Sequence, residues 1–308
     1  MSIGTSVGTI VALVPVAAGI AQELAAAGAE GIAASVPFIT AIIVGGAFFG
    51  DNLSFISDTT IAATRTQGCS MADKFKMNIR IAGPAALIVA VLYIFMGKSG
   101  AAIPASAPID WVLLIPYILV IVLAVSGIDV SVVLTIGLVV NAVIGFAGGG
   151  LTWSGYLESI GSGISGMGDL IIVTMMAGGM LELIKANGGL DYIVGKLTKK
   201  INGRRGAEFS IAALVSLANI CTANNTIAII TTGGIAKDIT KKFGIDPRRS
   251  ASILDTFSCL IQGILPYGAQ LLMASGLAGV TSISIMGYLY YPFALGAIAI
   301  IAILIKRS

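Results

Sequence analysis

The chain has 308 residues, of which 56% are hydrophobic and 11% charged, with a net charge of +3 and a mean hydropathy of +0.98. That composition excludes a soluble domain and requires an integral membrane protein. The absence of histidine leaves any proton chemistry to aspartate or glutamate, and the basic loops are explained by membrane topology without nucleic acid.

A membrane-spanning helix needs about 20 mainly apolar residues. In chain order, such runs read at 3–21 (short), 32–50, 79–97, 111–127, 130–150, 167–185 and 284–305, with longer polar-interrupted stretches at 207–236 and 251–277. These runs are uniformly apolar, whereas barrel strands alternate over about ten residues, so the fold class is an all-α polytopic bundle. Cys69, Cys221 and Cys259 match neither a metal site nor a disulfide framework.

Lysine and arginine gather at Arg65 to Arg80, Lys196 to Arg205, Lys237 to Arg249, and Lys306 with Arg307. The positive-inside rule places all of these, and so the C-terminus, on the cytoplasmic side. One stretch, 207–236, lies between the second and third clusters. It is expected to enter and return on one face as a re-entrant hairpin, with its turn near "ICTANNTIA" (220–228). The loop 22–31 carries Glu23 and Glu30 without a basic residue, as suits the outer face.

"TSVGTI" (5–10) lies over "TANNTI" (222–227), and each is followed by an apolar arm containing "GIA". Further on, each half has a polar interruption, "GDNLSFISD" and "QGILPYGAQ". Matches in the same order and spacing suggest an internal repeat, and the opposite sidedness of the two turns makes it inverted, with discontinuous helices meeting at mid-membrane. Residues 1–100 would be the C-terminal part of repeat 1 (hairpin return arm, broken helix, last span). Residues 101–308 would be repeat 2 (three spans, hairpin 207–236, broken helix 251–277, last span). Since repeat halves normally correspond, roughly 110 residues of the first copy are expected to be absent, an N-terminal truncation. The alternative is an asymmetric short protein.

The polar constellations follow from the same frame. Charged side chains and unwound backbone persist in a membrane where they line a cavity or bind something polar. Asp51 and Asp58 are seven residues apart, and on one continuous helix they would share a face. Asn52, Ser54, Ser57 and Thr59 add neutral oxygens, and carboxylate, hydroxyl and carbonyl oxygens together suit a small hard cation such as sodium. The competing reading is a helix end at the cytoplasmic surface with two solvated aspartates. In the second copy Pro266 interrupts the helical ladder, and Asp255, Gln262 and Gln270 are expected to face the same interior. Thr222, Asn224, Asn225 and Thr226 supply uncharged ligands at the hairpin turn, or simple turn chemistry. Thr5, Ser6 and Thr9 are the matching tip of repeat 1. Asp129, Asp169 and the Glu182/Lys185 pair are read as structural.

The chain resembles the NhaC-type sodium/proton antiporter family. The resemblance is carried by "GDNLSFISDTT" (50–60), "RTQG" (65–68), "TANNTIAI" (222–229) and "RRSASILDTFSCLIQGILPYGAQ" (248–270), and Phe55 stands where the family usually has proline. The resemblance implies a multi-pass protein of the bacterial inner membrane, built on paired re-entrant hairpins, that moves by an elevator mechanism. It implies exchange of Na+ for H+ at a carboxylate, Asp58 aided by Asp51, with Na+ at Asp58, Asn224 and Asn225. The partners expected are Na+ and H+ and the lipid bilayer, with a homodimer as an open option, no nucleic acid and no cofactor. Relatives that exchange organic acids or amino acids keep a small organic solute as the alternative substrate. The absence of an intramembrane lysine or arginine argues against a dianion. An enzyme is not expected, because without histidine only an Asp58/Asp255 pair is available.

Overall fold

A computed structural model describes residues 6–26, 28, 31–54, 57–97, 130–166, 168–189 and 203–305, with scattered positions between 112 and 123 and at 192 and 195. The expected span 111–127, and Thr5, Glu30, Phe55, Asp129, Lys306 and Arg307, lie wholly or mostly outside these residues. Every regular element among the described residues is helical.

Helix α1 covers Ser6–Ala26. A 3-10 turn at Ile32–Ala34 leads into α2, Val36–Leu53, which opens with proline in its first turn, where the missing N–H costs nothing. The chain then leaves the helix at Ser54 (φ −68°, ψ 144°) and re-enters it as α3, Asp58–Gln67. Gly68, at φ 73°, ends α3 in the left-handed conformation that glycine tolerates. Helix α4, Met71–Met96, is capped by Ser70, whose Oγ accepts the Asp73 N–H at 3.1 Å and donates to Asp73 Oδ2 at 2.8 Å. This cap starts the helix eight residues before the expected apolar span, so its first turns carry charge.

Helices α5 (Val130–Ala147), α6 (Trp153–Gly166) and α7 (Gly168–Ala186) follow. The sequence reading did not anticipate α6, which is too short and too polar at one end to register as a span. Helices α8 (Gly203–Thr222) and α9 (Asn225–Lys242) meet at a tight turn in which Ala223 has φ 48°. Asp246 caps α10, Pro247–Ile264, which bends by 41° across a short break into α11, Ala269–Ala278. The expected last span is divided into α12, Ser282–Met286, and α13, Tyr290–Ile305.

The outward faces are apolar: Leu87 and Phe95 on α4 are 67% exposed and Ile305 is 74% exposed. Water would not tolerate such a surface, but lipid does. Among the described residues, three helical stretches, α1, α2 with α3, and α4, are long and apolar enough to cross a bilayer, and the bent α10/α11 pair makes a fourth when taken as one span. The chain is an all-α polytopic membrane protein.

Packing follows a paired scheme. Helix α1 packs on α2 and α11, while α9 packs on α10 and α3; α2 meets α4 as α10 meets α13; and α4 packs on α13. The described parts of the first three basic segments meet at one end of this bundle, with Gly68 beside Lys237 and Arg249 bonded to Glu208. Close helix crossings there and deeper in the bundle depend on glycine. A Cβ at Gly263 would lie 2.3 Å from Pro292 Cγ, and one at Gly233 would lie 2.5 Å from Thr66 Cβ. Gly263→Ala should therefore cost about 1–3 kcal/mol through overpacking against a rigid ring, read as a lower melting temperature in detergent, while Ala at open Gly46 should not.

At the basic end, the Asp246 carboxylate accepts the Arg248 N–H at 2.9 Å and the Arg248 guanidinium on both oxygens. That partner holds its carboxyl below the usual carboxylate range. A depressed folded value means a contribution present at neutral pH and lost as acid protonates the group. Asp246→Ala should lower the melting temperature at neutral pH and lose that effect in acid.

Candidate functional site

The break between α2 and α3 places Asp51, Asn52, Ser54 and Ser57 at the centre of the bundle, each less than one-tenth exposed. Asp51 Oδ1 accepts the backbone N–H of Ser6 at 3.0 Å and the Ser57 hydroxyl at 3.3 Å. The N-terminus of α1 therefore points at this carboxylate, and its dipole favours the negative charge. Ser57 Oγ also lies 2.8 Å from Thr59 Oγ1, which is buried.

The expected shared face of Asp51 and Asp58 is not observed. The extended backbone at Ser54 and Ser57 interrupts the helix between them. Asp51 closes α2 inside the bundle, while Asp58 opens α3 with its side chain exposed. A carboxylate in the first turn of a helix is favoured without any ligand. No hydrogen bond between described residues joins Asp58 to Asn224 or Asn225.

A chain of amides runs from Asp51 to the turn between α8 and α9. Gln270 Nε2 donates to Ser6 Oγ at 3.1 Å, Gln262 Nε2 donates to Gln270 Oε1 at 2.7 Å, and the same Gln262 nitrogen donates to the Ala223 carbonyl oxygen at 2.8 Å. Both breaks, the start of α1 and the α8/α9 turn thus meet in one network. At the turn, Asn224 caps α9 by accepting the Ile227 N–H at 3.0 Å, and Thr222 Oγ1 donates to the Asn224 carbonyl oxygen at 3.0 Å. Asn225 is buried, accepts the Thr226 N–H at 3.1 Å and faces the Cys259 thiol. Thr226 and Thr9 are half-buried.

Asp255 is fully buried, and its partner is a residue the sequence reading left in a cytoplasmic loop. Lys74 Nζ lies 2.8 Å from Asp255 Oδ2, and both residues are 0% exposed. Asn78, also buried, donates to Asp255 Oδ2 at 2.7 Å and to the Asn52 carbonyl oxygen at 2.9 Å. A second buried cation, Arg249, pairs with Glu208 at 2.6 and 2.7 Å and donates to the Ala302 carbonyl oxygen. The expectation that no lysine or arginine enters the interior is corrected on both counts. Helix α4 begins earlier than its apolar run, and Glu208 supplies the counter-charge that lets Arg249 turn inward. Lys74 and Asn78 are the site residues that sequence reasoning missed; their only signal was a helical spacing of four, on one face with buried Ala82.

The Na+/H+ antiporter family is matched by residues 1–98 and 104–306. This chain belongs to that family. The antiporter-family chain is 26% identical over 304 residues to the malate-2H(+)/Na(+)-lactate antiporter of Bacillus subtilis (strain 168), covering 88% of this chain and 65% of that protein. It is 23% identical over 290 residues to the Na(+)/H(+) antiporter NhaC of Alkalihalophilus pseudofirmus (82% of this chain, 61% of that protein). It is 25% identical over 319 residues to the NhaC antiporter of B. subtilis (89% and 67%). The chain thus spans about two thirds of the length of these curated relatives. No solved structure matches it. A family of membrane transporters accounts for a polar network sealed in an apolar bundle, and it agrees with the reading of the chain as a transporter in preference to an enzyme.

Proposed function

We propose that the chain exchanges Na+ for H+ across the membrane by alternating access, with the two cations competing for Asp51. The supporting observation is the state of that carboxylate: 5% exposed, held by one N–H and one hydroxyl, with no lysine or arginine bonded to it among the described residues. Burial favours the neutral, protonated carboxyl and a bound cation favours the ionised one, so occupancy by one ligand opposes the other. Ser57 supplies a hydroxyl oxygen at the carboxylate and Thr59 another beside Ser57, and the amides of Gln270 and Gln262 tie the site to the Asn224/Asn225 turn. Exchange, as opposed to leak, follows because an empty, charged Asp51 is costly to carry through the apolar interior.

The inverted-repeat reading is supported by the packing. Exchanging α1 with α9, α2 with α10, α3 with α11 and α4 with α13 maps each of the paired contacts onto another of the set. The gathering of basic segments at one end supports the cytoplasmic assignment of that end.

Purified chain in proteoliposomes should show Na+-driven pH dequenching. Lowering the pH should weaken the apparent affinity for Na+ and leave the maximal rate unchanged. A maximal rate that falls with unchanged affinity would exclude competition at one carboxylate.

A second reading, exchange of small organic acids coupled to Na+ or H+, is favoured by the similarity to the B. subtilis malate/lactate antiporter. Against it, Lys74 and Arg249 are already engaged by protein acceptors. Uptake of radiolabelled malate or lactate against a Na+ gradient separates the two.

A further inference from the structure

The Lys74 ammonium is coordinated as a cation in a ligand cage would be. It donates to the Asn52 carbonyl oxygen at 3.0 Å and to Thr60 Oγ1 at 2.7 Å, and it pairs with Asp255 Oδ2 at 2.8 Å, which uses all its protons. The Asn52 carbonyl is one that the end of α2 leaves without a helical donor. Carbonyl, hydroxyl and carboxylate oxygens form the ligand set of a hard cation.

The surrounding residues also carry acceptors the ammonium cannot use. Among the described residues, Asn78 Oδ1 and Asp255 Oδ1 are buried without a hydrogen-bond partner, and both residues are 0% exposed, while the Asn52 side chain faces the Tyr291 hydroxyl. An ammonium offers three donors, whereas a hard metal cation takes about six oxygen ligands. Spare acceptors of this kind are costly in a structural ion pair and useful around a metal ion. Among the described residues no such cation reaches the second break, where the neutral amides of Gln262 and Gln270 bond each other.

The buried charges give the consequence. Among the described residues they are Asp51, Glu208 and Asp255 against Lys74 and Arg249, so three negative charges face two positive ones. Arg249 cancels Glu208 and Lys74 cancels Asp255.

We propose that the Lys74 ammonium is a tethered cation that fills an oxygen cage at the first helix break and neutralises Asp255, leaving Asp51 as the single uncompensated carboxylate for a mobile Na+ or H+. The inference rests on the reading of Asp51 given above. It makes Lys74 the residue that limits the site to one exchangeable charge per cycle, and it makes the cage a latent Na+ site in a chain without the ammonium.

The test compares the wild-type chain with Lys74→Gln and with the double variant Lys74→Gln/Asp255→Asn. Each is produced and purified in Na+, then melted in detergent over a series of NaCl concentrations, with N-methylglucamine chloride holding ionic strength constant. Lys74→Gln should melt below wild type without Na+. Its melting temperature should then rise about twice as steeply with the logarithm of Na+ concentration, because two sites fill instead of one. The double variant should return to the wild-type dependence. If Na+ moves Lys74→Gln no more steeply than wild type, the cage is not a cation site and the pair is structural only. The same conclusion follows if Lys74→Gln gives no folded protein even in Na+ while the double variant folds. A wild-type chain insensitive to Na+ beside a responsive Lys74→Gln would sink the Asp51 reading and leave the cage standing.

Discussion

Asp51→Asn should abolish Na+-driven proton movement in proteoliposomes, lowering the exchange rate by about 100-fold or more, the equivalent of at least about 2.7 kcal/mol. Asparagine is nearly isosteric and can still accept the Ser6 N–H and the Ser57 hydroxyl, so the network around the break should survive. What is lost is the capacity to hold either a charge or a proton. The melting temperature of the variant should remain near wild type, or rise, because a buried charge has been removed, but it should no longer respond to Na+. Asp58→Asn is the internal control: its side chain is exposed at the start of α3, and exchange should persist within a few-fold. Inactivity of Asp58→Asn beside activity of Asp51→Asn would reverse the assignment of the carboxylate.

Glu208→Gln should have the largest effect on folding. The Glu208–Arg249 pair has two short bonds, at 2.6 and 2.7 Å, and both residues are buried. Breaking such a pair from one side strands the other charge and costs about 3–5 kcal/mol, whereas replacing both partners by apolar residues of similar volume is often neutral or stabilising. Fluorescence-detected size exclusion should show little monodisperse protein for Glu208→Gln or Arg249→Met. The double variant Glu208→Met/Arg249→Met should recover most of the melting temperature, short of the bond that the guanidinium gives to the Ala302 carbonyl in the last turn of α13. Equal loss in the double variant would mean that the guanidinium is needed for its bond to α13.

Much of this architecture was legible because it depends on local chemistry. Apolar runs mark spans, and "TANNT" marks a turn because Asn224 caps the next helix through its own side chain. Pro266 marks a break because it has no N–H to donate. The position of the first break was less legible: neither proline nor glycine stands between Asp51 and Ser57, and the helix continues to Leu53. Helical spacing therefore misplaced Asp58, because periodicity holds only while the ladder is unbroken. Lys74 was read as a loop charge because it lies in the basic cluster Arg65 to Arg80, ahead of the apolar run. Its partner Asp255, and Asn78, which bonds the same carboxylate across 177 residues of sequence, come together only in the fold.

By itself, the order of residues determined that this chain lives in lipid as a helical bundle, that it turns at Asn224 and breaks at Pro266, and which polar side chains are available. Those properties follow from hydropathy, capping and proline, which act within a few residues. Only the tertiary structure decided which carboxylate is sealed in the interior, which is exposed, and which cation neutralises which anion. Those outcomes depend on desolvation and on charge pairing between helices distant in sequence, and neither exists until the helices have packed.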